Sequence, residues 1–122
     1  DNRTTAFRVP HSEAVARRVE NRLPSSDANS YLALAASLAC GYLGMVNSIT
    51  PSDPAYKSVN EGSVDLPRGL LEAVSLLESE PAFAQVFGKE FISTYARVKR
   101  GEFETFMQVI SPWEREFLLL NV

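Results

Sequence analysis

Cysteine is nearly absent from this chain of 122 residues. Cys40 stands alone, so a disulfide framework is excluded and a reducing compartment fits. It sits in an apolar run and is expected to be a small buried hydrophobe. Histidine is equally scarce. His11, in a polar connection with no visible partner, reads as a loop residue rather than a base. No long hydrophobic run occurs: the longest, Tyr31 to Val46, contains glycines and a serine and is too short to span a bilayer. No stretch has the make-up of a signal peptide, and a soluble cytoplasmic protein without a membrane partner is expected. Internal repeats and low-complexity segments are also missing. A net charge of −3 gives no bulk signal for nucleic-acid binding. The short basic run Arg97–Arg100 reads as a solvated helix face, and Trp113 with Phe117 as packing rather than a base-stacking platform.

What is present is a 45 % hydrophobic composition in a length that suits one domain. Positive charge is concentrated at the start. Residues 1–22 hold Arg3, Arg8, Arg17, Arg18 and Arg22 against Asp1, Glu13 and Glu20, a net of +2, and every cation there is arginine. Arginine suits bidentate contacts to carboxylate and phosphate. In "ARRVENRLP", residues 16–24, a strand conformation puts Arg18, Glu20 and Arg22 on one face, because side chains alternate with a period of two. Two readings fit that spacing. One is a solvated ion-pair ladder. The other is an active-site wall, in which Glu20 offers oxygen to a hard divalent cation and the flanking arginines grip anionic oxygens.

The pattern along the chain predicts an α+β architecture. Thr4–Val9 alternates and ends at Pro10, and Ala16–Leu23 is the second strand of an antiparallel hairpin. The hairpin occupies 1–24 and a helical region 25–122. Ser26, Asp27 and Asn29 are candidate N-caps for a helix over Ser30–Met45, apolar nearly all round and therefore expected to be buried. A long loop punctuated by Pro51, Pro54 and Pro67 follows. Helical spacing then recurs over Arg68–Glu78, over a short segment from Pro81 to about Gly88, and over Glu90–Ile110 with Gly101 inside it. Ser111 and Pro112 open a last helix over Trp113–Leu120. A two-stranded hairpin is marginal alone, and an all-round apolar helix needs partners. Together with an opening that lacks methionine, this suggests a piece of a longer protein whose exposed apolar surface favours self-association.

The segment "NRTTAFRVP…ARRVENRLPSSDANSYLALAASLACGYLGM" resembles the carboxyl-terminal part of the glutamine synthetase catalytic domain. The family pattern there runs NRS-x-x-IRIP, then ARR-I-E-x-R-x-P, then S-x-AN-P-YLA. The tail from Leu66 to Val122 looks like the shorter, tryptophan-containing ending of the branch that includes γ-glutamylpolyamine synthetases. The resemblance implies an ATP-dependent ligase that joins glutamate to ammonia, or to an amine, through γ-glutamyl phosphate, with Mg2+ or Mn2+. It implies that Glu20 is a metal ligand, that Arg22 holds a carboxylate of glutamate, that Arg18 reaches ATP phosphate, and that Arg3 serves catalysis at the nucleotide and phosphoryl-transfer site. Arg8 and Arg17 are expected to be structural and to pair elsewhere. Ser30 replaces the pattern's proline, and Asn21 stands where an apolar residue or histidine is usual.

The resemblance further implies a ring-shaped homo-oligomer as parent, with most metal-binding glutamates and the ATP-site loops upstream. These 122 residues are therefore expected to be inactive alone. Two rivals stand beside an ammonia ligase: a γ-glutamyl amine or polyamine ligase, and a non-enzymatic helical interaction module carrying an ion-pair ladder.

Overall fold

The computed structural model describes residues 4–55 and 66–119. Arg3, Leu120 and part of the proline-punctuated loop lie outside the described residues. The architecture is α+β, in two compact units, one within residues 1–65 and the other within 66–122.

The first unit opens with an antiparallel hairpin, β1 (Phe7–Arg8) and β2 (Glu20–Asn21), with Phe7 opposite Asn21 and Arg8 opposite Glu20. Each strand is shorter than its alternating stretch. A ribbon with no third strand among the described residues has little to extend its ladder. A 3-10 turn, Ala14–Ala16, occupies the connection where the second strand was expected to begin.

Helix α1 (Ser30–Val46) follows a tight turn. Of the candidate caps, Asn29 does the capping: its Oδ1 accepts from the backbone N–H of Tyr31 and Leu32 at 3.1 and 3.2 Å. Ser25 and Asp27 instead bond to each other in the turn before it. The helix stops where Ser48 takes a left-handed conformation, φ 52°, and Ile49 N–H reaches Gly44 O at 2.9 Å. Expectation and structure part over burial. Only Ala39 of α1 is buried, while Tyr31, Leu34, Leu38, Tyr42 and Met45 are exposed. Cys40 is exposed as well, not a core thiol. The cause is common to both: an apolar surface on every side of a helix exceeds what one hairpin can cover.

The second unit packs α2 (Leu70–Ser79), α3 (Pro81–Phe87) and α4 (Lys89–Met107) together, followed by α5 (Pro112–Phe117). Its buried residues are Val74 of α2 and Ile92 and Ala96 of α4, the two helices that pack most extensively on one another. Ala96 has no exposed surface, and its small side chain lets the two helices approach closely. Pro81 starts α3, with the Glu80 carboxylate accepting from Ala82 N–H at 3.0 Å. Gly88 separates α3 from α4 at φ 85°, a conformation that suits glycine. Across that corner Phe83, Phe87, Phe91 and Tyr95 succeed one another with ring centroids 5.7–6.1 Å apart, and the Lys99 ammonium lies 5.6 Å from the Tyr95 ring centre. Gly101 does not interrupt α4. Arg100 of α4 pairs with Glu78 of α2. Ser111 caps α5 in a capping box with Glu114: Glu114 N–H donates to Ser111 Oγ at 3.2 Å, and Ser111 N–H donates to Glu114 Oε2 at 2.7 Å. The Ser111 backbone N–H first, and then the Ser111 side chain, hold the Glu114 carboxyl below its usual range. Among the described residues no helix is long and apolar enough to cross a membrane.

Candidate active site

The charged strand gathers more cations than its alternation alone supplies. Because Arg8 lies opposite Glu20 in the ladder, its guanidinium reaches the same carboxylate from the neighbouring strand. Arg8 Nη1 donates to Glu20 Oε2 at 3.0 Å. Arg18 Nη2 lies 3.5 Å from Glu20 Oε1, and Arg22 Nη2 lies 3.9 Å from Oε2, too far for a direct hydrogen bond. The Glu20 side chain is 31 % exposed, that of Arg22 27 % and that of Arg18 60 %.

The one-face placement of Arg18, Glu20 and Arg22 therefore holds. Arg8, expected to pair away from this trio, is instead, among the described residues, the cation nearest Glu20. Arg17 closes the 3-10 turn through its backbone, donating to Ala14 O at 3.3 Å. In the turn beyond β2, the Ser25 hydroxyl and then Asp27's own backbone hold the Asp27 carboxyl below the usual range.

Half-exposed ion pairs of this kind contribute at most about 1 kcal/mol each. Their significance lies in the charge pattern. Among the described residues, three guanidiniums converge on one carboxylate. Such an array attracts carboxylate and phosphate oxygens. Toward a metal its capacity is narrow. A hard divalent cation takes roughly six oxygens, and Glu20 offers two. Among the described residues no three His, Cys, Asp or Glu side chains gather as a metal site. Glu20 thus fits as one oxygen donor in a set completed by other groups. A bare cation would be repelled by the guanidiniums, whereas one accompanied by polyphosphate would be matched by them.

Two further side chains support the strand and escaped the sequence reading as a pair. Asn21, on the face opposite Glu20, donates through Nδ2 to Ser37 Oγ of α1 at 2.9 Å. Its unusual polarity was visible in the sequence. Its partner was not, since nothing local relates residue 21 to residue 37.

Comparison with known proteins places this chain in a family. Residues 1–118 match the family described as "Glutamine synthetase, catalytic domain". The chain is similar to a glutamate–isopropylamine ligase of a Pseudomonas species, 37 % identical over 93 % of this chain and 26 % of that protein. It is similar to a glutamine synthetase of Halobacterium salinarum, 33 % identical over 94 % of this chain and 27 % of the relative. It also resembles a γ-glutamylethanolamide synthetase of Streptomyces coelicolor, 34 % identical over 93 % of this chain and 25 % of the relative. The chain belongs to the glutamine synthetase family. It spans about a quarter of the length of these relatives.

Proposed function

We propose that this chain forms the carboxyl-terminal wall of the active site of an ATP-dependent ligase that joins glutamate to ammonia through γ-glutamyl phosphate. The supporting observation is the sharing of Glu20 by Arg8, Arg18 and Arg22 at a hairpin that lies inside the family match. In this reading the terminal phosphoryl group of ATP passes to the side-chain carboxylate of glutamate, releasing ADP. Ammonia then attacks the acyl carbon and phosphate leaves. Arg22 holds and orients a carboxylate of glutamate by paired hydrogen bonds. Arg18 and Arg3 stabilise negative charge on the phosphate oxygens of ATP. Glu20 donates oxygen to Mg2+ or Mn2+, which would supply charge neutralisation between nucleotide and glutamate when bound. Arg8, donating to Glu20 Oε2, keeps the Glu20 carboxylate pointed along the shared face.

The parent protein is read as a ring-shaped, cytoplasmic homo-oligomer, and these 122 residues as inactive by themselves. A second reading, an amine in place of ammonia, is favoured by the names of two relatives, an isopropylamine ligase at 37 % and an ethanolamide synthetase at 34 % identity. Phosphate release by the intact protein, measured with glutamate, Mg·ATP and a panel of ammonia, isopropylamine, ethanolamine and putrescine, separates the two. Absence of turnover with every acceptor, and no glutamate-dependent ADP formation, would reject both readings.

A further inference from the structure

We infer that Asn21 and Ser37 are positioning residues for Arg22, acting from the far side of the strand. Strand alternation turns Asn21 away from the face that carries Glu20 and Arg22, so it does not meet a ligand bound there. Its carboxamide instead pins the chain on both sides of Arg22. Asn21 Oδ1 accepts from Leu23 N–H at 3.0 Å, and Nδ2 donates to Ser37 Oγ at 2.9 Å. Ser37 donates in turn to Ala33 O, 2.8 Å away and one turn back along α1. Arg22 N–H itself donates to Ala6 O at 2.9 Å. The backbone that aims the Arg22 guanidinium is thus anchored to a 17-residue helix rather than to loop. A two-stranded ribbon of two residues per strand cannot hold that aim alone. The relay is part-buried, where an unmade hydrogen bond is not replaced freely by water.

This inference rests on the reading in which Arg22 binds glutamate, and its test keeps the two apart. The clean variant is Ser37→Ala in the intact ligase. Alanine is the better helix former, so loss of fold is not expected to confuse the result. Ser37→Ala should raise the KM for glutamate about five-fold while kcat changes by less than about twofold, the scale one such hydrogen bond supports. The unfolding midpoint should fall only slightly, since one part-buried hydrogen bond is lost while alanine is the better helix former. Ser37→Thr, which keeps the hydroxyl, should restore the KM. Asn21→Leu should raise the KM at least as much, and adding Ser37→Ala to it should do no more. An unchanged KM in Ser37→Ala, or a fall in kcat alone, overturns the relay, provided Arg22→Ala raises the KM. If Arg22→Ala leaves the KM for glutamate unchanged, the assignment of Arg22 fails and the positioning role fails with it.

Discussion

The two units solve the problem of helix burial in opposite ways. In the second, α4 carries apolar residues along one stripe, and that stripe finds α2 within the chain: Val74, Ile92 and Ala96 are buried and the polar side takes the ion pairs. In the first, α1 is apolar in every direction and buries only Ala39. An amphipathic helix states where its partner lies. An all-round apolar helix states only that several partners are needed, and among the described residues the first unit contains one short hairpin. The difference predicts a division of labour, with stability set by packing in the second unit and chemistry set by charge in the first.

The strongest test of that division is a cavity. Ile92→Ala should destabilise the chain by about 2–4 kcal/mol, read as a lowered midpoint of denaturant unfolding, because Ile92 is a buried member of a very small core. Leu38→Ala, a comparable truncation on exposed surface of α1, should move the midpoint by less than about 0.5 kcal/mol. Equal effects would erase the contrast. Next in size is Arg22→Ala in the intact ligase. It should lower kcat/KM for glutamate by about 10- to 150-fold, matching the roughly 1.5–3 kcal/mol of hydrogen bonds to a charged group, with the unfolding midpoint nearly constant. A large stability loss with unaltered glutamate kinetics would return the strand to a solvated ladder.

How far the sequence showed this beforehand depends on the distance over which each signal acts. Helix ends were legible where a cap is local: Ser111 with Pro112, Pro81, and the break at Gly88 all fall where the residues place them. The one-face grouping of Arg18, Glu20 and Arg22 was legible because alternation is a property of neighbours. The position of Arg8 was not. It depends on the register Arg8 opposite Glu20, and the long connection between those residues leaves register unspecified by turn chemistry. The same holds for Asn21 and Ser37, which meet only through tertiary placement. Cys40 shows the other kind of failure. Its apolar neighbours correctly describe a surface suited to burial, but composition does not say whether a cover is present in the same unit.

Electrostatic contributions within the second unit should be smaller than its packing. The Arg100–Glu78 pair joins α4 to α2 with both side chains near 40 % exposed, so a double-mutant cycle to alanine should return a coupling of about 0.2–1 kcal/mol that shrinks as salt is raised. A coupling approaching the Ile92→Ala effect would mean that charge, not apolar contact, holds these helices.

The smallest expected effect is also the most local, and it carries a sign. Glu114 accepts Ser111 N–H at 2.7 Å, and its carboxyl is held below the usual range in the folded chain. A group whose pKa is depressed on folding binds fewer protons folded than unfolded. Its contribution is therefore complete above the unfolded glutamate value of about 4.3 and is lost as pH falls through the folded one. The amide resonance of Ser111 should be constant from neutral pH down to about 5 and then shift as the capping box opens, without a matching change in the α2–α4 core. Glu114→Gln keeps an acceptor at the third helical position and removes the titration, so its Ser111 amide should stay flat over the same range. Titration that persists in that variant would place the proton elsewhere, and coupled loss of the core signal would show that α5 is not the separately fraying end that its single local cap describes.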